Sequence, residues 1–312
     1  MNCPLCNKKA TKVIADTLRT GEKRKVFLCT TCDHGILDSH ISAEDLKKFY
    51  ATEYRKVGTP TLSTTSNPAE LFKMYSQFQA DRLHLLKPYL TKRARVLEVG
   101  CSAGMFLFPV KKLVKEVVGI DFDRASAEYA AKKCRCKVYT TDIKETPLKK
   151  KYFDVIVAFQ TLEHVKDPKQ FIDDLREYLA PGGVIAIEVP NLHDSLAHVF
   201  DLPHHYQFYY HASHLWYFTE KSLEKVMGQT GFKGMTHHLQ DYNFVNHMNW
   251  IINDKPQSSG TPGLSAPTLP LRKNIPVKTK QVLSKFILDT DQKYKKTLAD
   301  LKITSNILFI GK

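Results

Sequence analysis

Val96-Leu97-Glu98-Val99-Gly100-Cys101-Ser102-Ala103-Gly104-Met105-Phe106 is the stretch that decides the fold of this 312-residue chain. An apolar run of strand length carries one acid near its end, then a turn of small residues, then an apolar helical start. That order suits a nucleoside cofactor held at the carboxyl end of a strand in an open α/β sheet. Gly100 and Gly104 can take backbone angles closed to other residues, so a ligand can approach the main chain. Glu98 puts a negative charge where a nicotinamide-binding loop ordinarily has none, and its natural partner is a cationic group.

Outward from this turn, strands and helices alternate. Strands are expected at Val96–Val99, Val117–Ile120, Val138-Tyr139, Val155–Phe159 and Val184–Val189. Helices are expected at Met105–Leu113, Ala125–Lys133 and Phe171–Leu179, with Pro181-Gly182-Gly183 as a turn. Alternation at this pitch gives a mostly parallel, doubly wound sheet. A further helix, Leu223–Thr230, and a sixth strand near Gly234–Leu239 follow. The seventh strand, within Ile303–Ile310, comes after a helix at about Lys278–Leu301. Pro68 opens an amphipathic pattern through Leu71, Met74, Tyr75, Phe78, Leu83 and Leu86, read as one long helix. The whole is an α/β, seven-stranded, Rossmann-like sheet.

The organisation expected is a small module at 1–40, a helical linker and lid at 41–90, and a core at 91–312. Within the core, residues 193–218 form a lid, and a Pro-, Ser- and Gly-rich insertion at about 250–277 is flexible. A polar loop is expected at 58–68 as well.

The first module is defined by cysteines. Cys3-Pro-Leu-Cys6 and Cys29-Thr-Thr-Cys32 are two C-x-x-C knuckles with 22 residues between them. Four thiolates in this arrangement suit tetrahedral zinc, and so short a stretch needs a clamp to fold. Disulfides and a redox dithiol are the alternatives. Val13-Ile14 and Val26-Phe27-Leu28 read as strands of a ribbon.

Composition excludes little. With 43% hydrophobic and 25% charged residues, the chain is an ordinary globular one. No apolar run nears the roughly 20 residues that span a bilayer, no leader-like segment opens the chain, and a cytoplasmic setting is expected. The 46 Lys and Arg exceed the 32 Asp and Glu, for a formal net charge of +14. A basic balance attracts nucleic acid or a phosphorylated substrate, but here the lysines are spread along the whole chain.

Asp121 ends the second strand, where a carboxylate can accept ribose hydroxyls. The fourth strand runs into Gln160-Thr161-Leu162-Glu163-His164-Val165-Lys166-Asp167-Pro168, and Leu179-Ala180-Pro181-Gly182-Gly183 follows. With Glu98, Gly100, Ser102 and Gly104, these elements resemble the ordered motifs of class I S-adenosylmethionine methyltransferases over residues 95–190, with Ser102 in place of a middle glycine. The resemblance implies S-adenosylmethionine as cofactor. It assigns Glu98 and the glycine turn to the methionyl end, Asp121 to the ribose, Phe122 and Asp142 to the adenine, and Gln160 to the same pocket.

Methyl transfer is an in-line displacement, so alignment dominates, with proton removal where the acceptor is a hydroxyl or carbon acid. Candidate bases are His164, past the fourth strand, and His211, His214 and Tyr217 in the aromatic lid; Glu163 is read as orienting its loop. The stretch His214-Leu215-Trp216-Tyr217-Phe218 resembles the His-x-x-Tyr-Phe segment of deoxysugar C-methyltransferases, which also carry a four-cysteine module. Those enzymes continue into a sizeable further domain, whereas about 60 residues follow Trp250 here. The resemblance implies a small-molecule acceptor: a sugar, a nucleotide-linked sugar or a related, phosphorylated metabolite. The alternative is an RNA methyltransferase whose zinc ribbon and basic face hold the phosphate backbone. Oligomeric state is not readable from the sequence.

Overall fold

A computed structural model describes residues 1–39, 41–52, 67–257 and 261–312. The part of the expected polar loop at 58–66 lies outside the described residues. In chain order the first strands are β1 (Lys12–Ala15), β2 (Val26–Cys29), β3 (His34–Leu37), β4 (Arg95–Val99), β5 (Glu116–Ile120) and β6 (Lys137–Tyr139). They are followed by β7 (Phe153–Phe159), β8 (Leu179–Pro190), β9 (Trp216–Tyr217), β10 (Gly234–Leu239) and β11 (Asn306–Gly311).

Seven of them form one sheet in the order β10-β11-β8-β7-β4-β5-β6. Strands β4 to β8 pair in parallel, while β11 is antiparallel to both β8 and β10. The parallel strands are continuous apolar runs because helices cover both faces. Val96, Leu97, Ile156, Val157, Ile185 and Ile187 are fully buried. The alternation in the sequence thus gives the expected doubly wound Rossmann-like sheet. Strand order reverses beside β4, and its carboxyl end opens onto the site.

Three expectations change. The pattern from Pro68 to Leu86 is two helices, Pro68–Tyr75 and Ala80–Leu86, separated by a 3-10 turn at Ser76–Phe78. Asn67 caps the first, its side chain accepting the Glu70 N–H at 3.0 Å. The break re-aims the chain, so Leu71, Tyr75 and Phe78 face a cavity while Leu86 enters the core. The helix expected at Met105–Leu113 is regular only over Leu107–Val110, since Pro109 brings no N–H to continue it. Pro181-Gly182-Gly183, expected as a turn, falls inside β8. The stretch at about 250–277 contains the end of the helix Phe244–Asn253 and the helix Thr261–Leu264.

The cysteine module is not an appendage. Its sheet runs β1-β2-β3-β9, so a strand from residues 216–217 completes it. Gly35 pairs with Tyr217 and Ile36 with Trp216. His34 is fully buried, stacked on Trp216 at 5.4 Å between ring centroids and tilted against Phe218 at 4.8 Å. The Thr219 hydroxyl donates to the Asp33 carbonyl at 2.9 Å, and the Gln229 amide to the Leu5 carbonyl at 2.9 Å. The module therefore holds the segment that carries His211 and His214.

A Cβ at Gly35 would fall 2.8 Å from the Tyr217 Cβ. Gly35→Val is therefore expected to cost about 1–3 kcal/mol by forcing β3 and β9 apart, read as a lower midpoint in urea denaturation. Gly228→Ala, where an added Cβ meets nothing within 4 Å, is expected to be neutral or stabilising.

Candidate functional site

Beyond the carboxyl ends of β4, β5 and β7 lies a cavity of about 840 Å³, toward the large end of ordinary small-molecule sites. One wall is the turn after β4. Gly100 has φ +79° and Gly104 φ +82°, and Ser102 is left-handed at +46°. A Cβ on Gly100 would lie 2.1 Å from the Thr161 Oγ1, and one on Gly104 2.7 Å from the Cys134 Sγ. Only glycine fits either position. The Ser102 N–H donates to the Asp121 Oδ2 at 2.6 Å, which fixes the turn against β5.

Glu98 lines the cavity at the head of this turn. It is 4% exposed, and its Oε2 has no hydrogen-bond partner among the described residues. Burial pushes its carboxyl well above the usual carboxylate range, the Arg82 charge pulls it back, and Asp121 adds to the push. An orphaned buried acid aimed into a cavity is completed by a cationic ligand. Asp121 lines the same space and accepts the Ser102 and Asp123 N–H groups. Phe122 and Asp142 are further along the wall, with Asp142 accepting the Lys144 N–H at 3.0 Å. These residues, called from the sequence, converge on one end of the cavity and fit an adenosyl sulfonium with an amino group.

Gln160 sits on the floor with φ +52°. Its amide nitrogen donates to the Glu188 Oε1 at 3.0 Å and the Asn306 Oδ1 at 3.1 Å. Glu188 is 1% exposed and takes both Nε–H and Nη2–H of Arg82, at 2.7 and 2.5 Å. Asn306 in turn donates to the Asp241 Oδ2 at 2.7 Å. This buried network locks the helix Ala80–Leu86 to β7, β8 and β11, and so sets the floor. Gln160 is thus first a strut of the network.

The candidate bases gather at the other side. His164 ends the 3-10 turn Leu162–His164, and the lid brings His214 to 4.8 Å from it and His211 to 3.6 Å from His214, between ring centroids. All three line the cavity. The His164 Nδ1 lies 2.7 Å from the Ser213 carbonyl oxygen, which can only accept, so that nitrogen carries the proton and Nε2 the lone pair. This Nε2 is 3.6 Å from the Glu163 Oε1, and the His214 Nε2 is 4.0 Å from the same oxygen. Glu163 is 1% exposed, neither of its oxygens has a hydrogen-bond partner among the described residues, and burial pushes it up to about 8. Burial likewise holds His211 and His214 well below the usual imidazole range. Burial thus favours neutral imidazoles at His211 and His214 and the protonated form of Glu163 beside them. Tyr217 does not join them. It is 2% exposed, and its hydroxyl accepts the His211 N–H at 3.2 Å and donates to the His211 carbonyl at 3.3 Å. Its role is to brace the lid backbone.

Two groups among the described residues have donors close enough for one ion. These are Cys3, Cys6, Cys29 and Cys32, and Glu163 with His164 and His214, each set within 4.8 Å. In the first, Cys3 and Cys32 sulfurs are 3.3 Å apart and those of Cys6 and Cys29 are 3.5 Å apart. A tetrahedron of 2.3 Å zinc–sulfur bonds has edges of about 3.8 Å, so the four fit a zinc ion.

Sequence reading missed several cavity residues. Arg19 reaches it from the cysteine module, and Trp250, Gln257 and Leu264 from the stretch expected to be flexible. The apolar face of Phe244–Asn253 was the available signal for Trp250; Arg19 had none, since its partners Phe208 and Tyr210 are remote in sequence.

The family model described as a methyltransferase domain matches residues 71–237. Over 97 residues the chain is 35% identical to a probable S-adenosylmethionine-dependent methyltransferase of Mycolicibacterium smegmatis, which covers 31% of this chain and 38% of that protein. It is 31% identical over 102 residues to a ubiquinone biosynthesis O-methyltransferase of Nitrobacter winogradskyi, covering 31% of this chain and 39% of that protein. The matched stretch thus spans about two-fifths of these relatives. A solved structure of a SAM dependent methyltransferase from Archaeoglobus fulgidus aligns over 78% of this chain and 96% of its own, with 18% identity and a TM-score of 0.49.

Proposed function

The chain belongs to the methyltransferase domain family, and from that premise we propose that it transfers a methyl group from S-adenosylmethionine to an enclosed small molecule, a sugar or nucleotide-linked sugar. The observation that carries this is Glu98, a buried carboxylate with an unpartnered oxygen facing the cavity beside a turn that only glycine can make. Bound there, S-adenosylmethionine supplies an electrophilic methyl carbon. Glu98 neutralises its positive end, the Gly100–Gly104 turn lets the main chain approach it, and Asp121 takes its ribose.

At the acceptor end, His164 and His214 face the cavity and receive the proton that a hydroxyl or carbon acid must lose. Glu163 acts through them as a positioning residue. Both imidazoles are largely buried, with side chains 11% and 13% exposed. A nucleic-acid base would have to leave its stack to reach them, which favours the small acceptor over RNA. We assign Cys3, Cys6, Cys29 and Cys32 to one structural zinc ion, whose place is to hold β3 against β9.

Four outcomes follow. Glu98→Gln keeps shape and removes charge, and is expected to weaken S-adenosylmethionine binding at least tenfold by calorimetry; unchanged affinity would overturn the assignment. In the same assays, labelled methyl groups should enter sugar or nucleotide-sugar pools and not RNA. Ionised Glu163 would stabilise the imidazolium that forms as His164 or His214 takes the proton, so the rate should rise with pH through about 8 and level above it. In Glu163→Gln that limb should vanish, with kcat down roughly a hundredfold; an unaltered profile would exclude the role. Metal analysis should find one zinc per chain, absent after Cys29→Ser with Cys32→Ser.

A further inference from the structure

The helix Val277–Asp300 is packed chiefly along its second half. The Phe244 N–H donates to the Asp291 Oδ1 at 2.6 Å, and one turn further on the His247 Nδ1 lies 2.8 Å from the Tyr294 hydroxyl. The helix Phe244–Asn253 thus runs beside that half, in the same direction. Residues 277–290 precede these contacts. Ten of those fourteen residues are exposed and Ile287 alone is buried, so this half meets solvent around most of its circumference.

Charge is segregated here. Lysines are spread along the whole chain, but acids are not: residues 255–288 contain no Asp or Glu, the longest such interval in the sequence. The same interval holds Lys255, Arg272, Lys273, Lys278, Lys280 and Lys285. Lys285 pairs with Asp289 one turn on, while Arg272, Lys273, Lys278 and Lys280 have no ion-pair partner among the described residues. Side chains four apart share one side of a helix. Lys278, Val282 and Phe286 make such a row, and Lys285 stands beside it. Val282 is 59% exposed and Phe286 64%, and Val277, which opens the helix, is 71% exposed.

Exposed apolar side chains set among unpaired cations fit one kind of surface best. RNA phosphates would satisfy the cations, but Val277 and Val282 gain nothing from them. A second copy of the chain on the same face would bring like charges together. A bilayer with anionic headgroups has negative charge at its surface and an apolar layer beneath, and a helix lying in the interface uses both. Among the described residues no helix is long and apolar enough to cross a membrane, so contact is from one side.

We propose that the first half of this helix, with Arg272 and Lys273 before it, docks the protein on an anionic lipid bilayer. The cations meet the headgroups, and Val282 and Phe286 enter the layer below them. Docking of this kind is independent of which acceptor is methylated.

Co-sedimentation of the full chain with phosphatidylcholine vesicles, with and without about one-third phosphatidylglycerol, tests this. Partition onto the anionic vesicles is expected to be stronger by about tenfold or more. Lys278→Glu with Lys285→Glu should remove that gain. Phe286→Ser, which leaves the charge unchanged, should weaken partition roughly threefold or more. Lys149→Glu with Lys151→Glu takes the same charge from exposed sites elsewhere and should leave partition nearly unchanged. No preference for anionic vesicles overturns the proposal, as does an equal loss in the Lys149 and Lys151 variant, which would trace binding to net charge. Binding to single-stranded RNA, or dimerisation, that is lost with Lys278 and Lys285 while vesicle binding persists likewise overturns it and gives the face to that partner.

Discussion

The turn after β4 presses against the turn after β7 so closely that Gly100 leaves no room for a single carbon in front of Thr161. The rest of the site depends on that approach. It aligns the carboxyl ends of two neighbouring strands, so that Glu98 and Gln160 open onto one crevice. The same crowding removes water from Glu98 and leaves its carboxyl short of a partner. A ligand that brings positive charge restores what burial has taken away. Steric constraint and electrostatic demand are here two aspects of one packing arrangement.

A second arrangement joins the two ends of the cavity. Arg82 and Glu188 hold the floor from the side of the sheet, and the β3–β9 ladder holds the lid from the side of the cysteine module. The lid holds the helices Ser195–His198 and Pro203–Tyr209, but the stretch 210–215 that carries His211 and His214 is irregular. His211 and His214 keep their places because Tyr217 braces the backbone from behind and because Trp216 packs on His34. A buried, neutral His34 with neither ring nitrogen hydrogen-bonded serves as a packing block at this joint.

What the sequence made legible follows from how local each cause is. The parallel strands are readable because burial on both faces demands uninterrupted Val, Ile and Leu. The cofactor turn is readable because close approach demands small residues at fixed spacing, and the cysteine knuckles because two paired spacings bring four thiols into one cluster. Arg19 and Arg82 are a different matter. Their partners lie 189 and 106 residues away, and an arginine on an apolar pattern carries no mark of which carboxylate or carbonyl awaits it. Tyr217 could not be told apart in the sequence, because an aromatic lid holds both residues that face the cavity and residues that brace them. The helix break at Ser76–Phe78 was hidden because both halves keep one amphipathic register. In the Pro-rich stretch after Trp250, composition gave no sign that Leu264 would be buried.

The ladder between β3 and β9 also has a consequence in time. Gly35 and Tyr217 are separated by most of the distance along the polypeptide, and at roughly 5–20 residues per second of synthesis their meeting waits on the order of ten to forty seconds. For that interval the first three strands have no fourth neighbour, and their outer edge offers unpaired backbone groups to any passing strand. An ion gathered early by the cysteines would keep this edge in register until its true neighbour is made. The β1–β3 ribbon is then a template on which a later-made wall of the cavity, carrying His211 and His214, is laid.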